Sequence, residues 1–371
     1  MGTLHIFNPE HDIALAANLS NFTAPHAGRL LRNDLGFLPA IWATQDDKVM
    51  VENLEHAEKS WNRVTGRMKR LGLNPSSVGN NVFVERKHAG ITDAYDNIEP
   101  WGWDLALRRE LERLHFPHEL LPVDRQIEQI RQLSHRRTSG KLLPLLRLEG
   151  TVGESFECNS VSEIEELQAR YGRLILKAPW SSSGRGLRFV HSPEDIRQAH
   201  LQGWLQHLLA SQGSVMAEPI YNKVKDFGME FEVDGDGCIH YKGLSLFHTL
   251  NGAYVGNILA TEAKKREMMS RYLPLALLDS TKELIMKTSL LKGYQGCFGV
   301  DMMVVGCSNG FMLHPCVELN LRRTMGHVAL RLQPDDDDVL MVMRVELTDH
   351  YRLRLMPLKT IINCQLSIVN Y

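Results

Sequence analysis

The chain has 371 residues, 43% hydrophobic and 23% charged, with 42 basic residues against 44 acidic ones for a formal charge of −2. That length exceeds one ordinary core, and the near-neutral balance gives no footing for nucleic acid or an anionic membrane surface. No run approaches the roughly 18 apolar residues of a membrane-spanning helix, so no membrane partner is expected.

Leu4 to Phe7 fits a first strand, and Asn8-Pro9-Glu10-His11-Asp12 after it reads as a turn with Asp12 as a cap. Three adjacent residues cannot all point inward, so Glu10, His11 and Asp12 are not expected to share a metal ion. Beyond a first strand, this loop is placed to face a substrate. Phe37 to Ala43 is a second apolar run, in which Pro39 argues against a central strand. Residues 47–72 and 103–115 are charged and periodic, as surface helices are. The alternation predicts a small α/β domain with a partly parallel sheet over residues 1–125. Trp101 and Trp103 are expected to pack between domains.

After Leu120 to Asp124, a helix from Arg125 to Leu133 opens a second unit that runs to residue 345. Leu174-Ile175-Leu176 is a strand, Ser192 and Pro193 start a helix, and Val215 to Ala217 and Phe227 to Val233 are strands. Residues 262–290 form the longest helical pattern. Asp335 to Asp338 is a solvated loop, and residues 346–371 are a tail of unknown role.

Lys177 ends the strand at Leu176, and Ser181-Ser182-Ser183-Gly184-Arg185-Gly186 follows before a strand resumes at Leu187. Small residues at such a tip let backbone N–H groups approach phosphate, with the lysine as a fixed charge beside them. A Gly-x-x-x-x-Gly-Lys-Ser/Thr loop is absent. Asp226-Phe227-Gly228 imitates the protein-kinase metal motif without a His-Arg-Asp segment before it, and the glycine loop follows the lysine instead of preceding it. Glu218-Pro219-Ile220 ends a strand and leads to Asp226; it offers backbone groups to an adenine edge and a carboxylate to ribose hydroxyls, though a surface loop explains it equally well.

Gly299 to Val305 and Phe311 to Asn320 flank Asn309-Gly310, a dipeptide suited to a two-residue type I′ turn. With Ser308 opposite Phe311, Asp301 falls opposite Glu318, and Asn320 shares the face of Glu318. Like charges facing each other in a hairpin need a compensating cation, and this donor set suits Mg²⁺. Pro315 marks a place for a bulge, and a one-residue slip would turn Asp301 to the other face.

In this order the segments resemble the ATP-grasp superfamily across roughly 220 residues. The resemblance implies two α+β lobes with nucleotide between them, preceded by a small Rossmann-like α/β domain. It implies that Lys177 binds phosphate and that Ser181, Ser182, Ser183, Gly184 and Gly186 form the flexible loop. Glu218 and Ile220 would meet adenine, and Asp226 the ribose. Asp301, Glu318 and Asn320 would carry Mg²⁺, or Mn²⁺ in its place, and Arg322 or Arg323 would face the transferred phosphate. The family's earlier lysine is replaced by Arg136, Arg137 or Lys141. His327 reads as a helix-start residue.

The implied activity is an ADP-forming ligase, joining a small-molecule carboxylate to an amine or similar nucleophile through an acyl-phosphate. The alternatives are a non-ligating ATP-binding regulator and a small-molecule kinase. Six cysteines without a Cys-x-x-Cys pair and a first segment unlike a secretory signal lead us to expect a cytoplasmic protein. Homo-oligomerisation is compatible with the sequence, which carries no signature deciding it.

Overall fold

The computed structural model describes residues 2–73, 82–89, 95–181, 186–250 and 253–358. Its first part contains β1 (Gly2–Ile6), α1 (His11–Ala17), α2 (His26–Leu35), β2 (Lys48–Val51), α3 (Leu54–Arg70), β3 (Phe83–Glu85), β4 (Tyr95–Pro100) and α4 (Leu105–Arg113). The strands pair in parallel in the order β3-β2-β1-β4, as helical crossovers require. The apolar run at Phe37 is no strand: Leu38–Ile41 is a buried 3₁₀ turn, consistent with the missing N–H of Pro39.

The next elements are α5 (Asp124–Leu133), α6 (Arg137–Leu142), β5 (Phe156–Cys158), α7 (Val161–Tyr171), β6 (Leu174–Lys177), β7 (Leu187–Val190), α8 (Pro193–Arg197), α9 (Ala199–Gln212) and β8 (Val215–Pro219). Strands β5, β8, β6 and β7 form an antiparallel sheet in that order. Its apolar residues Leu174, Leu176, Val215 and Ala217 pack with Ile164, Leu201 and Leu205 of α7 and α9 into a separate small core.

A larger unit follows, with β9 (Lys223–Val233), β10 (Ile239–Leu250), β11 (Ala253–Leu259), α10 (Glu262–Ser270), α11 (Leu275–Met286), β12 (Gly296–Cys307), β13 (Gly310–Asn320), α12 (Met325–Arg331), β14 (Met341–Leu347) and β15 (Tyr351–Pro357). The helical pattern over 262–290 is two helices, because Pro274 cannot continue the first and instead precedes the second. Seven strands form an antiparallel sheet ordered β13-β12-β9-β10-β11-β14-β15. On one face Phe227, Met229, Phe231, Phe298, Val300 and Met302 are buried in the largest core. Alternation sends Asp226, Gly228, Glu230, Gly299 and Asp301 to the other face.

A boundary at residue 345 falls inside β14, and β15 beyond it is an edge strand of the same sheet. Leu353 and Leu355 are buried with Phe7, Leu35 and Trp61 of the first part. Arg67 Nε donates to the carbonyl of Leu355 at 2.9 Å.

Candidate active site

Asp301 lies opposite Glu318 in the β12–β13 hairpin, and Gly299 opposite Asn320. The expected pairing arises from two departures that cancel. Cys307 pairs with Gly310, so the turn is Ser308-Asn309 and the pairing near it differs by two in summed residue number. A type I′ turn needs positive φ at both Asn309 and Gly310, and only Gly310 has it, at 126°. Between Met303–His314 and Asp301–Glu318 the partner strand then spends two extra residues around Pro315, a bulge that restores the facing carboxylates.

Asn320 Nδ2 donates to Asp301 Oδ2 at 3.0 Å. Burial, with the Glu318 carboxylate next in weight, pushes the Asp301 carboxyl up to about 7. Arg136 Nη2 reaches Glu318 Oε1 at 2.6 Å and its Nη1 reaches Ser181 Oγ at 2.6 Å. Arg137 turns to Glu157 at 3.3 Å, and Lys141 is exposed. Of the three candidates near the domain start, Arg136 alone meets the paired acids.

Lys177 is only 5% exposed. Its Nζ lies 2.6 Å from Glu218 Oε2 and donates to the carbonyl of Val317 at 3.2 Å, tying the small sheet to β13. Glu218 also accepts from Ser155 Oγ at 3.1 Å. The backbone N–H of Ile220 donates to the carbonyl of Arg173 at 3.1 Å. Ser182, Ser183 and Gly184 lie outside the described residues. At the base of their loop, Ala178 N donates to Gly186 O at 2.8 Å, and a Cβ on Gly186 would sit 2.3 Å from Ser181 Oγ. Asp226 takes Lys223 Nζ at 2.7 Å and the Thr249 hydroxyl.

The loop after β13 sends its two arginines apart. Arg322 Nη2 donates to Asn320 Oδ1 at 3.1 Å, and its Nε faces both carboxylate oxygens of Asp12 at 3.1 and 3.0 Å. Asp12 is therefore not the cap of α1. Burial, the largest single influence, would raise its carboxyl, but Arg322 with His11 and Arg136 together outweigh it and hold it below the ordinary range. Glu10 goes to Arg32 and His11 packs against Gly102, so the three neighbours do diverge. Arg323 pairs with Glu99 and stacks on Trp42, its guanidinium 4.4 Å from the ring centre. Trp101, edge-on to Phe7 at 4.9 Å, accepts the Arg323 N–H on its carbonyl at 2.8 Å.

Sequence reasoning missed Glu230, although its parity with Asp226 along β9 was available. It is 3% exposed. A Cβ on Gly299 or Gly326 would lie 2.6 or 1.8 Å from its oxygens, so both glycines are needed for it to fit. His327, the third residue of α12, has Nε2 3.1 Å from the carbonyl of Phe231. A carbonyl only accepts, so Nε2 carries the hydrogen and Nδ1 accepts, here from Thr324 N at 3.2 Å. Glu230 Oε2 lies 3.1 Å from that Nδ1. Two acceptors at this distance require a proton on Glu230. Burial, reinforced by Asp301, pushes the Glu230 carboxyl up to about 8, which agrees.

An antiparallel small lobe carrying a buried lysine, set against a large antiparallel sheet with paired acids and preceded by a parallel-sheet domain, is the arrangement that the resemblance to the ATP-grasp superfamily implies. No family model matches the chain. Among curated proteins it is similar to a [butirosin acyl-carrier protein]–L-glutamate ligase of Niallia circulans, 22% identical over 237 residues, which are 58% of this chain and 48% of the relative. The chain thus spans about half the length of the curated relative it matches. Among solved structures it is similar to the N5-carboxyaminoimidazole synthetase of Staphylococcus aureus complexed with ADP, at 14% identity and TM-score 0.49, covering 93% of this chain and 82% of that one. It is also similar to a biotin carboxylase complex from Campylobacter jejuni, at 14% identity and TM-score 0.48, covering 92% and 75%. Among the described residues no helix is long and apolar enough to cross a membrane.

Proposed function

We propose that the chain is an ATP- and Mg²⁺-dependent ligase that converts a small-molecule carboxylate to an acyl-phosphate for attack by an amine or similar nucleophile. The observation that carries this reading is the meeting of Asp301, Glu318, Asn320, Arg322 and Arg136 on one face of the hairpin. The donors fit a hard divalent cation: Asp301 is a half-buried carboxylate beside a second one, and carboxylate and amide oxygens are the ligands Mg²⁺ takes. Bound by Asp301, Glu318 and Asn320, the cation would neutralise charge on the phosphates.

Lys177 and Arg136 hold the phosphate chain beside the cation, as fixed charges. An oxygen of the substrate carboxylate attacks the γ-phosphorus, the bond to the β,γ-bridging oxygen breaks, and ADP leaves. Arg322, fixed by Asp12, faces the phosphoryl group in transfer, while Arg323 packs against the first domain. The nucleophile then attacks the acyl carbon, and phosphate leaves with the C–O electron pair. Glu218 orients Lys177, Ile220 borders the adenine position, Asp226 meets ribose, and Ser181 to Gly186 exclude water from the acyl-phosphate.

ADP release by purified protein over a panel of amino acids and carboxylic acids tests the proposal. L-Glutamate and an acyl-carrier protein belong in the panel, since the curated relative is named for them. Release that needs both a carboxylate and a nucleophile, and is lost in Asp301→Asn, is the expected result. A stable phosphorylated product without free phosphate would make the protein a small-molecule kinase instead. ATP binding with silence across the panel would make it a non-ligating binder.

A further inference from the structure

A second cluster of ligand-type side chains lies away from the carboxylate face. Asp34, near the end of α2, is 1% exposed. His56 stands in the first turn of α3, and His350 in the short connection between β14 and β15. His350 Nδ1 lies 3.0 Å from Asp34 Oδ1, and His56 Nε2 lies 3.4 Å from the same oxygen. One ligand atom from each residue falls within 4.8 Å of the others, and the imidazole rings are 5.1 Å apart, tilted by 52°.

We propose that Asp34, His56 and His350 form a binding site for a zinc-like transition-metal ion, with a fourth position open to water. The donor set is two imidazole nitrogens and one carboxylate, which suits Zn²⁺ and its neighbours and not Mg²⁺ or Ca²⁺. Donors held by one tetrahedral ion at about 2.0–2.1 Å stand about 3.4 Å from one another. The observed separations reach this range with small side-chain rotations.

Three further features agree. His56 Nε2 is buried and makes no hydrogen bond; it faces Asp34 Oδ1 at 3.4 Å, aimed at the cluster. The second Asp34 oxygen accepts the Tyr351 N–H at 2.8 Å, which fixes the carboxylate as outer partners of a metal ligand do. His350 is 44% exposed and leaves the open position on the solvent side. The ion would join two helices of the first domain to the last hairpin of the large sheet.

The test is Zn²⁺ titration of the chelator-stripped full chain by calorimetry, with Co²⁺ absorbance as a report on coordination and excess Mg²⁺ present to occupy the Asp301 cluster. The wild type should take up one Zn²⁺ and give the intense absorbance of low-coordinate Co²⁺. Affinity should fall about 100-fold in His350→Ala and in His56→Ala. Zn²⁺ should raise the melting temperature of the wild type and not that of His350→Ala, an exposed change that leaves circular dichroism unaltered. Wild-type affinity no tighter than that of the double variant His56→Ala/His350→Ala overturns the site. So does Zn²⁺ retained equally by all variants.

Discussion

Asp12 and Arg322, 310 residues apart in the chain, are held together by contacts at 3.1 and 3.0 Å from one nitrogen to both oxygens of the carboxylate. The first domain thereby sets the angle of a guanidinium that also touches the metal-ligand candidate Asn320. Asp12→Ala should leave Arg322 free to wander, lowering kcat/KM about 10–100-fold while ATP affinity changes little. It should also cost about 1–3 kcal/mol of stability, because a half-buried cation loses its partner. Equal kcat/KM in variant and wild type would remove Arg322 from the reaction.

The raised Asp301 carboxyl makes stability depend on both pH and Mg²⁺. A group whose folded value lies above its unfolded one favours the fold below the ordinary carboxylate range and loses that contribution as pH rises through about 7. Without Mg²⁺, the melting temperature should therefore fall between pH 5 and 8, and Mg²⁺ should restore it more at pH 8 than at pH 6. Asp301→Asn should be more stable than the metal-free wild type at pH 8, by about 1–3 kcal/mol, and respond little to Mg²⁺. A Mg²⁺ effect unchanged by this substitution would place the cation elsewhere.

Glu230 obeys the same sign, with its contribution lost as pH passes about 8. Glutamine copies the neutral acid in shape. Glu230→Gln should match the wild type in melting temperature at pH 6 and exceed it at pH 9. Large destabilisation at pH 6 would mean that the native carboxyl is ionised.

Lys177 and Glu218 form a buried pair at 2.6 Å. Lys177→Met should abolish measurable ATP binding and cost about 3 kcal/mol, since Glu218 is left charged without its cation. Adding Glu218→Gln should recover most of the stability and none of the binding. A double variant that regained ATP binding would show that the lysine does not hold phosphate.

How far these features were legible in the sequence depended on whether their cause was local. Facing acids in the β12–β13 hairpin follow from alternation, which is local, yet the turn slipped and the bulge at Pro315 compensated. Backbone φ at Asn309 decides that slip, and composition does not display it. Choosing Arg136 over Arg137 or Lys141 needed the third dimension, because neighbouring side chains at a helix start point apart. Asp12 looked like a cap because its partner lies at the far end of the sequence. The strand at Tyr351 looked like a tail for the same reason: its hydrogen bonds go to β14, but its side chains are buried by α2 and α3.

That last arrangement bears on how the protein is made. Phe7, Leu35 and Trp61 share their core with Met341, Leu353 and Leu355. While a ribosome is still producing the middle of the molecule, the leading segment has a parallel sheet but not the apolar lining that completes it. Its greasy helices must wait, uncovered, until the final hairpin emerges. Sticky encounters between nascent chains are the hazard of that interval, and the same late closure locks Phe7, Leu35 and Trp61 to Met341, Leu353 and Leu355.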